Sequence, residues 1–176
     1  MSAMNQQIDP STGQWTNIPD FLRPSDSYIA PSSGFFFGHI LQTPPISELI
    51  PSSNIRFKLM QRFFEAVHPV APCVHRGSFQ ALYQSFEDDI SKYIEPRPSV
   101  QAVVFAAWFS AAISLPADDV PGSYGFTKND LVTKMKLGAE SALSKAHFIR
   151  TTKVETLQAL VMYLVSLGRS ITPGRF

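Results

Sequence analysis

His68, Cys73 and His75 stand close together in this sequence and are the one grouping with the side-chain types that bind transition metals. A structural zinc site asks for four such ligands in a tetrahedron, and a catalytic one for three plus a water. No fourth ligand is near, and Pro69 and Pro72 stiffen the segment between them. The residues therefore read as a helix-end histidine, a small buried thiol and a loop histidine. Cys73 with His75 as nucleophile and base would also need an orienting third group and a lowered thiol pKa. Two residues apart on a loop, they show neither.

Glu87-Asp88-Asp89 supplies neighbouring carboxylates, but consecutive helical positions diverge in direction, so a solvated face is the better reading. Gly122-Ser123-Tyr124-Gly125 lacks the Gly-Lys-Ser/Thr ending of a phosphate loop, and no Gly-x-Ser-x-Gly occurs. No catalytic, cofactor-binding or metal-binding residue is assigned, and the chain is not read as an enzyme.

The elements that must carry these residues follow from periodicity. Ile55, Leu59, Met60, Phe63, Phe64 and Val67 recur at helical spacing with polar residues between them. Ser53 or Asn54 is placed to cap this helix, and Pro69 disfavours the α region for His68 and ends it. A second helix begins near Gly77-Ser78 with Ser78 as cap. It places Phe79, Leu82, Tyr83, Phe86, Ile90 and Ile94 on one face, and Glu95-Pro96-Arg97-Pro98 closes it. The third, Ser99 to Leu115, is apolar almost all round and is expected at the centre. It is shorter than the ~20 residues a bilayer span needs. Thr127-x-x-Asp130 resembles a capping box for a fourth helix, and Thr152-x-x-Glu155 opens a fifth, with Val154, Leu157, Leu160, Val161, Leu164 and Val165 as its apolar positions and Gly168 as its end. The class is all-α, an irregular array of about five helices.

Residues 1–45 differ in composition. Pro10, Pro19, Pro24, Pro31, Pro44 and Pro45 break any helical pattern, and the segment reads as a disordered or loosely docked linker. Phe35-Phe36-Phe37 followed by Gly38-His39-Ile40-Leu41 is its apolar exception, read as docking onto the domain. Residues 46–176 form the domain. Hydrophobic content of 44% excludes wholesale disorder, and a net charge of +1 with no basic stripe gives no footprint for duplex DNA. One cysteine, Cys73, excludes an internal disulfide and fits a reducing compartment.

The order of motifs resembles the regulatory middle homology domain of fungal binuclear zinc-cluster transcription factors. Phe63-Phe64 precedes Val67-His68-Pro69; Val70-Ala71-Pro72 follows; His75-Arg76-Gly77-Ser78-Phe79 opens the next helix. An Ala-rich apolar helix matches Val103 to Ala112, Thr156-Leu157-Gln158-Ala159-Leu160 matches a later phrase, and Gly168-Arg169 follows it. The resemblance covers roughly residues 46–169. It implies a nuclear regulator, of a metabolic or biosynthetic gene set, with His68, Pro69, His75, Arg76, Phe79, Leu157 and Gln158 as structural motif residues. Implied partners are transcription-machinery proteins or a family-type DNA-binding module, with a small-molecule effector or a second copy of the chain as further candidates. Neither direct DNA binding nor membrane insertion is expected of this chain. The family's six-cysteine zinc cluster is not matched, so no cofactor is expected, and the family domain continues for further helices. The chain thus reads as the N-terminal half of a larger helical domain, truncated. The rival reading is a small helical enzyme or ligand-binding protein of a biosynthetic pathway.

Overall fold

The computed structural model describes residues 45–116 and 127–171, with side chains as far as residue 168. The predicted linker, apart from Pro45, and the loop at 117–126 lie outside the described residues, as does Phe35 to Leu41. Every regular element among the described residues is a helix: α1 (Ile46–Leu49), α2 (Ser53–Arg62) continuing into a π-turn (Phe63–Val67), α3 (Arg76–Ser91), α4 (Pro98–Ser114), α5 (Lys128–Lys145) and α6 (Val154–Ile171). The all-α array is as the periodicity predicts. The short α1 is an addition: after Pro45 a single turn buries Ile46 and Leu49 and packs on α5.

α4 is the hub. Pro98 occupies its first turn, where the missing N–H costs nothing, and every residue from Ser99 to Ala112 is buried. A helix apolar all round must be covered on all sides. α5 and α6 cover one flank, and α2, the π-turn and α3 cover the rest. Trp108 is fully buried at the centre, edge-on to Phe105 at 5.0 Å and to Phe86 at 5.6 Å, and Phe109 stacks on Tyr163 at 5.4 Å. Each such ring contributes roughly 1.5–3 kcal/mol through burial, with about 0.5–1.5 kcal/mol more per well-oriented pair.

Side-chain bonds tie the helices across the core. Ser110 Oγ of α4 and Ser166 Oγ of α6 lie 2.7 Å apart, and the Tyr163 hydroxyl donates to Glu140 Oε1 at 2.5 Å. Burial, then the Glu140 carboxylate, pushes the Tyr163 hydroxyl far above the ordinary tyrosine pKa. Arg56 of α2 holds Glu87 of α3 with two bonds, Nε to Oε1 at 2.9 Å and Nη2 to Oε2 at 2.7 Å. Glu87 is therefore a structural ion pair, a correction to its reading as part of a solvated face.

Helix ends follow the expected caps in part. Thr127 Oγ1 accepts from the Asp130 N–H at 3.2 Å and donates to Asp130 Oδ2 at 2.6 Å, completing the predicted box on α5. α3 starts before Ser78, and its cap is His75, whose Nδ1 accepts from the Ser78 N–H at 3.3 Å. α2 begins at Ser53, so Ser52 takes the cap position and neither Ser53 nor Asn54 does. α6 begins one residue after Lys153, whose carbonyl accepts from the Thr156 and Leu157 N–H groups, so Lys153 rather than Thr152 holds the cap position. Gly168 does not end α6, which runs on to Ile171. α3 stops at Ser91, which leaves Ile94 outside the helix and exposed.

Candidate functional site

The corner between α2 and α3 gathers five of the seven predicted motif residues, His68, Pro69, His75, Arg76 and Phe79. A π-turn precedes it: the His68 N–H reaches back five residues to the Phe63 carbonyl at 2.8 Å. The widened turn buries Phe63 and Val67 together. Past it, the His68 ring folds under the loop, with Nε2 at 3.0 Å from the Val74 carbonyl. A carbonyl only accepts, so this nitrogen carries the proton. Pro69 and Val70 are exposed, while Val74 is buried.

The second half of the corner is an aromatic joint. Phe79 packs edge-on to Phe63 at 5.5 Å and against Phe64 at 6.0 Å, and His68 lies 5.8 Å from Phe64. The Arg76 guanidinium stands over the Phe64 ring at 4.9 Å, a cation–π contact on an exposed edge. His68, His75, Arg76 and Phe79 thus each close or cap this corner. Pro69 is exposed. Cys73 sits half-buried in the loop, and burial raises its thiol pKa, the opposite of what a nucleophile needs. Among the described residues no group of three or more His, Cys, Asp or Glu side chains is arranged to hold a metal ion.

Leu157 and Gln158 lie elsewhere, on α6. The buried face of that helix is Thr156, Ala159, Met162, Tyr163, Ser166 and Leu167. Five further apolar residues, Val154, Leu157, Val161, Leu164 and Val165, face outward and are between 41% and 64% exposed. Val154, Leu157, Val161 and Leu164 follow the alternating three- and four-residue spacing of a helix that packs along a second helix. Of the apolar positions expected from sequence, Leu160 packs against the core and the other five are turned away from it.

A polar device missed by sequence reasoning joins the corner to α4. Arg62 donates Nε–H to Ser114 Oγ at 3.1 Å and Nη2–H to the Ser114 carbonyl at 2.5 Å, closing the C-terminal end of α4. The two residues are 52 apart, and no local signal links them. Beside them a cavity of about 290 Å³ opens between the π-turn, α4 and α6. No helix among the described residues is long and apolar enough to cross a membrane.

The chain is 33% identical over 123 residues to the aurofusarin cluster transcription factor aurR2 of Gibberella zeae, covering 69% of this chain and 18% of that protein. It is 31% identical over 121 residues to the pyriculol/pyriculariol biosynthesis cluster transcription factor 1 of Pyricularia oryzae, covering 68% and 16%. The C6 finger domain transcription factor nscR of Arthroderma gypseum is 30% identical over 129 residues, covering 73% and 18%. The chain thus spans under a fifth of the length of these relatives. No protein-family model matches it, and no solved structure does.

Proposed function

The chain is homologous to fungal zinc-cluster transcription factors, and from that premise we propose that its helical array is part of the regulatory, middle homology region of such a factor. Residues 46–176 form this region and residues 1–45 lead into it. In this reading the protein acts in the nucleus and controls a metabolic or biosynthetic gene set. The observation that carries it is the identity to aurR2 across 69% of the chain. The relatives favour a regulator over a small enzyme, since each is named for transcription.

Mechanistically the corner sets the angle between α2 and α3, and α4 transmits that angle to α6. The outward stripe Val154-Leu157-Val161-Leu164 offers an apolar seat to a neighbouring helix, from a partner protein or a second copy, and a large exposed apolar patch marks such a surface. A DNA-binding module supplies sequence recognition, and the helical region controls its output in response to an effector or partner.

The test is a reporter assay in which the 176-residue chain is fused to a heterologous DNA-binding module and an activation segment. The fused region should change reporter output relative to the module alone. Leu157→Glu and Leu164→Glu on the exposed stripe should alter that change without lowering the melting temperature. A reporter indifferent to the fused region sinks the proposal.

A further inference from the structure

The cavity next to Arg62 combines two features that together specify a ligand. Its walls are mixed, with Val67, Ala71, Ile113, Met162 and Val165 beside Ser110, Ser114 and Ser166, and its volume of about 290 Å³ suits a small organic molecule. Arg62 lines it from the polar end. The guanidinium is held in place by its two bonds to Ser114, which use Nε and Nη2, and the Nη1 donors have no acceptor among the described residues. A guanidinium fixed in orientation with donors unspent is a ready partner for a carboxylate. Arg62 favours an anion at its end of the cavity, and the apolar side chains of the wall favour an anion with a hydrocarbon body.

We propose that this cavity binds a small monocarboxylic acid, its carboxylate on Arg62 and its apolar chain against Ile113, Met162 and Val165. The ligand touches α4 and the π-turn on one side and α6 on the other, so occupancy bears on the helix that displays the exposed stripe. That consequence, an effector acting through α6, rests on the regulatory reading above; the binding itself does not.

The probe is hexanoate, with hexanamide as the uncharged match, titrated into the purified 176-residue chain and followed by methyl NMR. Hexanoate should saturably move the methyl signals of Ile113, Met162 and Val165. Hexanamide should bind roughly ten-fold more weakly or worse, for loss of one charge-assisted contact. Arg62→Gln should bring the same loss, and Arg62→Lys should recover part of it. Because Arg62→Gln also opens the end of α4, Val165→Trp is the second variant. It fills the mouth from a half-exposed position and should abolish binding with the helical circular dichroism intact. Equal binding of amide and acid, shifts away from these methyls, no saturation, or full binding by Val165→Trp would each overturn the assignment. A reporter that responds to the domain while hexanoate fails to bind removes the acid site alone. Binding with a silent reporter removes the regulatory reading alone.

Discussion

The ring of Phe105 on α4 fills the place where a side chain at Gly138 on α5 would stand. A Cβ at Gly138 would fall under 3.0 Å from Phe105 Cδ1 and Cε1, atoms of a fully buried ring. Gly138 is what lets the two helices approach closely, together with the buried Ala139 and Ala142 beside it.

Gly138→Ala should therefore destabilise the protein, though alanine is the better helix former. The propensity gain is about 1 kcal/mol, whereas overpacking a close-packed core costs about 1–3 kcal/mol, and the ring has no room to yield. Gly168 on α6 is the control: nothing stands within 4 Å of its Cβ position, so Gly168→Ala should stabilise by up to about 1 kcal/mol. Urea unfolding of both variants checks the opposite signs. Phe105→Leu should partly rescue Gly138→Ala, since residues in contact are not additive.

What the sequence made legible is what short-range pattern encodes. The all-round apolar run at Val100 to Leu115 placed α4 at the centre, and Thr127 with Asp130 marked the start of α5. The face of α6 was not legible. Val154, Leu157, Val161 and Leu164 are exposed, while the buried face mixes the small Thr156, Ala159 and Ser166 with Met162, Tyr163 and Leu167. The π-turn has no periodicity of its own, and the Arg56–Glu87 and Arg62–Ser114 links join residues far apart in sequence. Of the candidate site, the residues of the histidine–proline corner could be named from the family resemblance, but the cavity beside Arg62 exists only once α6 is in place.

The Arg56–Glu87 pair should make stability fall in acid. Burial pushes the Glu87 carboxyl up, but the bonds from Arg56 and Tyr83 outweigh it and hold the group below the ordinary carboxylate pKa. A group depressed in the folded state contributes its full stability above the unfolded pKa of about 4.3 and loses it as pH falls through the folded value. Glu87→Gln should lower stability at neutral pH by about 1–3 kcal/mol, the range for a charge-assisted bond. It should also flatten the decline in acid. Unfolding free energies measured from neutral pH down to pH ~3 test this; parallel curves for wild type and variant would refute it.

Tyr93 and His147 carry positive φ angles of 58° and 50° just past the ends of α3 and α5. In both cases the next residue closes the turn: Ile94 N–H bonds to the Asp89 carbonyl, and Phe148 N–H to the Leu143 carbonyl. This is the helix-ending geometry that glycine occupies without strain. A side chain there costs roughly 1 kcal/mol, partly offset by the greater chain entropy of unfolded glycine. Tyr93 is 99% exposed, so its ring forfeits little packing on removal. Tyr93→Gly should raise the melting temperature slightly, and Tyr93→Val should lower it.

The histidine–proline corner makes a graded prediction, because its residues act by different means. His68→Ala removes the bond to the Val74 carbonyl and the packing on Phe63 and Phe64, and should cost about 1–3 kcal/mol. Pro69 is exposed, so Pro69→Ala loses only the restriction of the unfolded chain, about 0.4–1 kcal/mol. His75 holds the start of α3 through one side-chain acceptor, so His75→Ala should cost about 1 kcal/mol. His75→Asp, which keeps an acceptor at the same place, should stay within a few tenths of wild type. Chemical denaturation of the variants gives the ranking directly. A His68→Ala protein no less stable than Pro69→Ala would mean that the ring under the loop does not hold the corner.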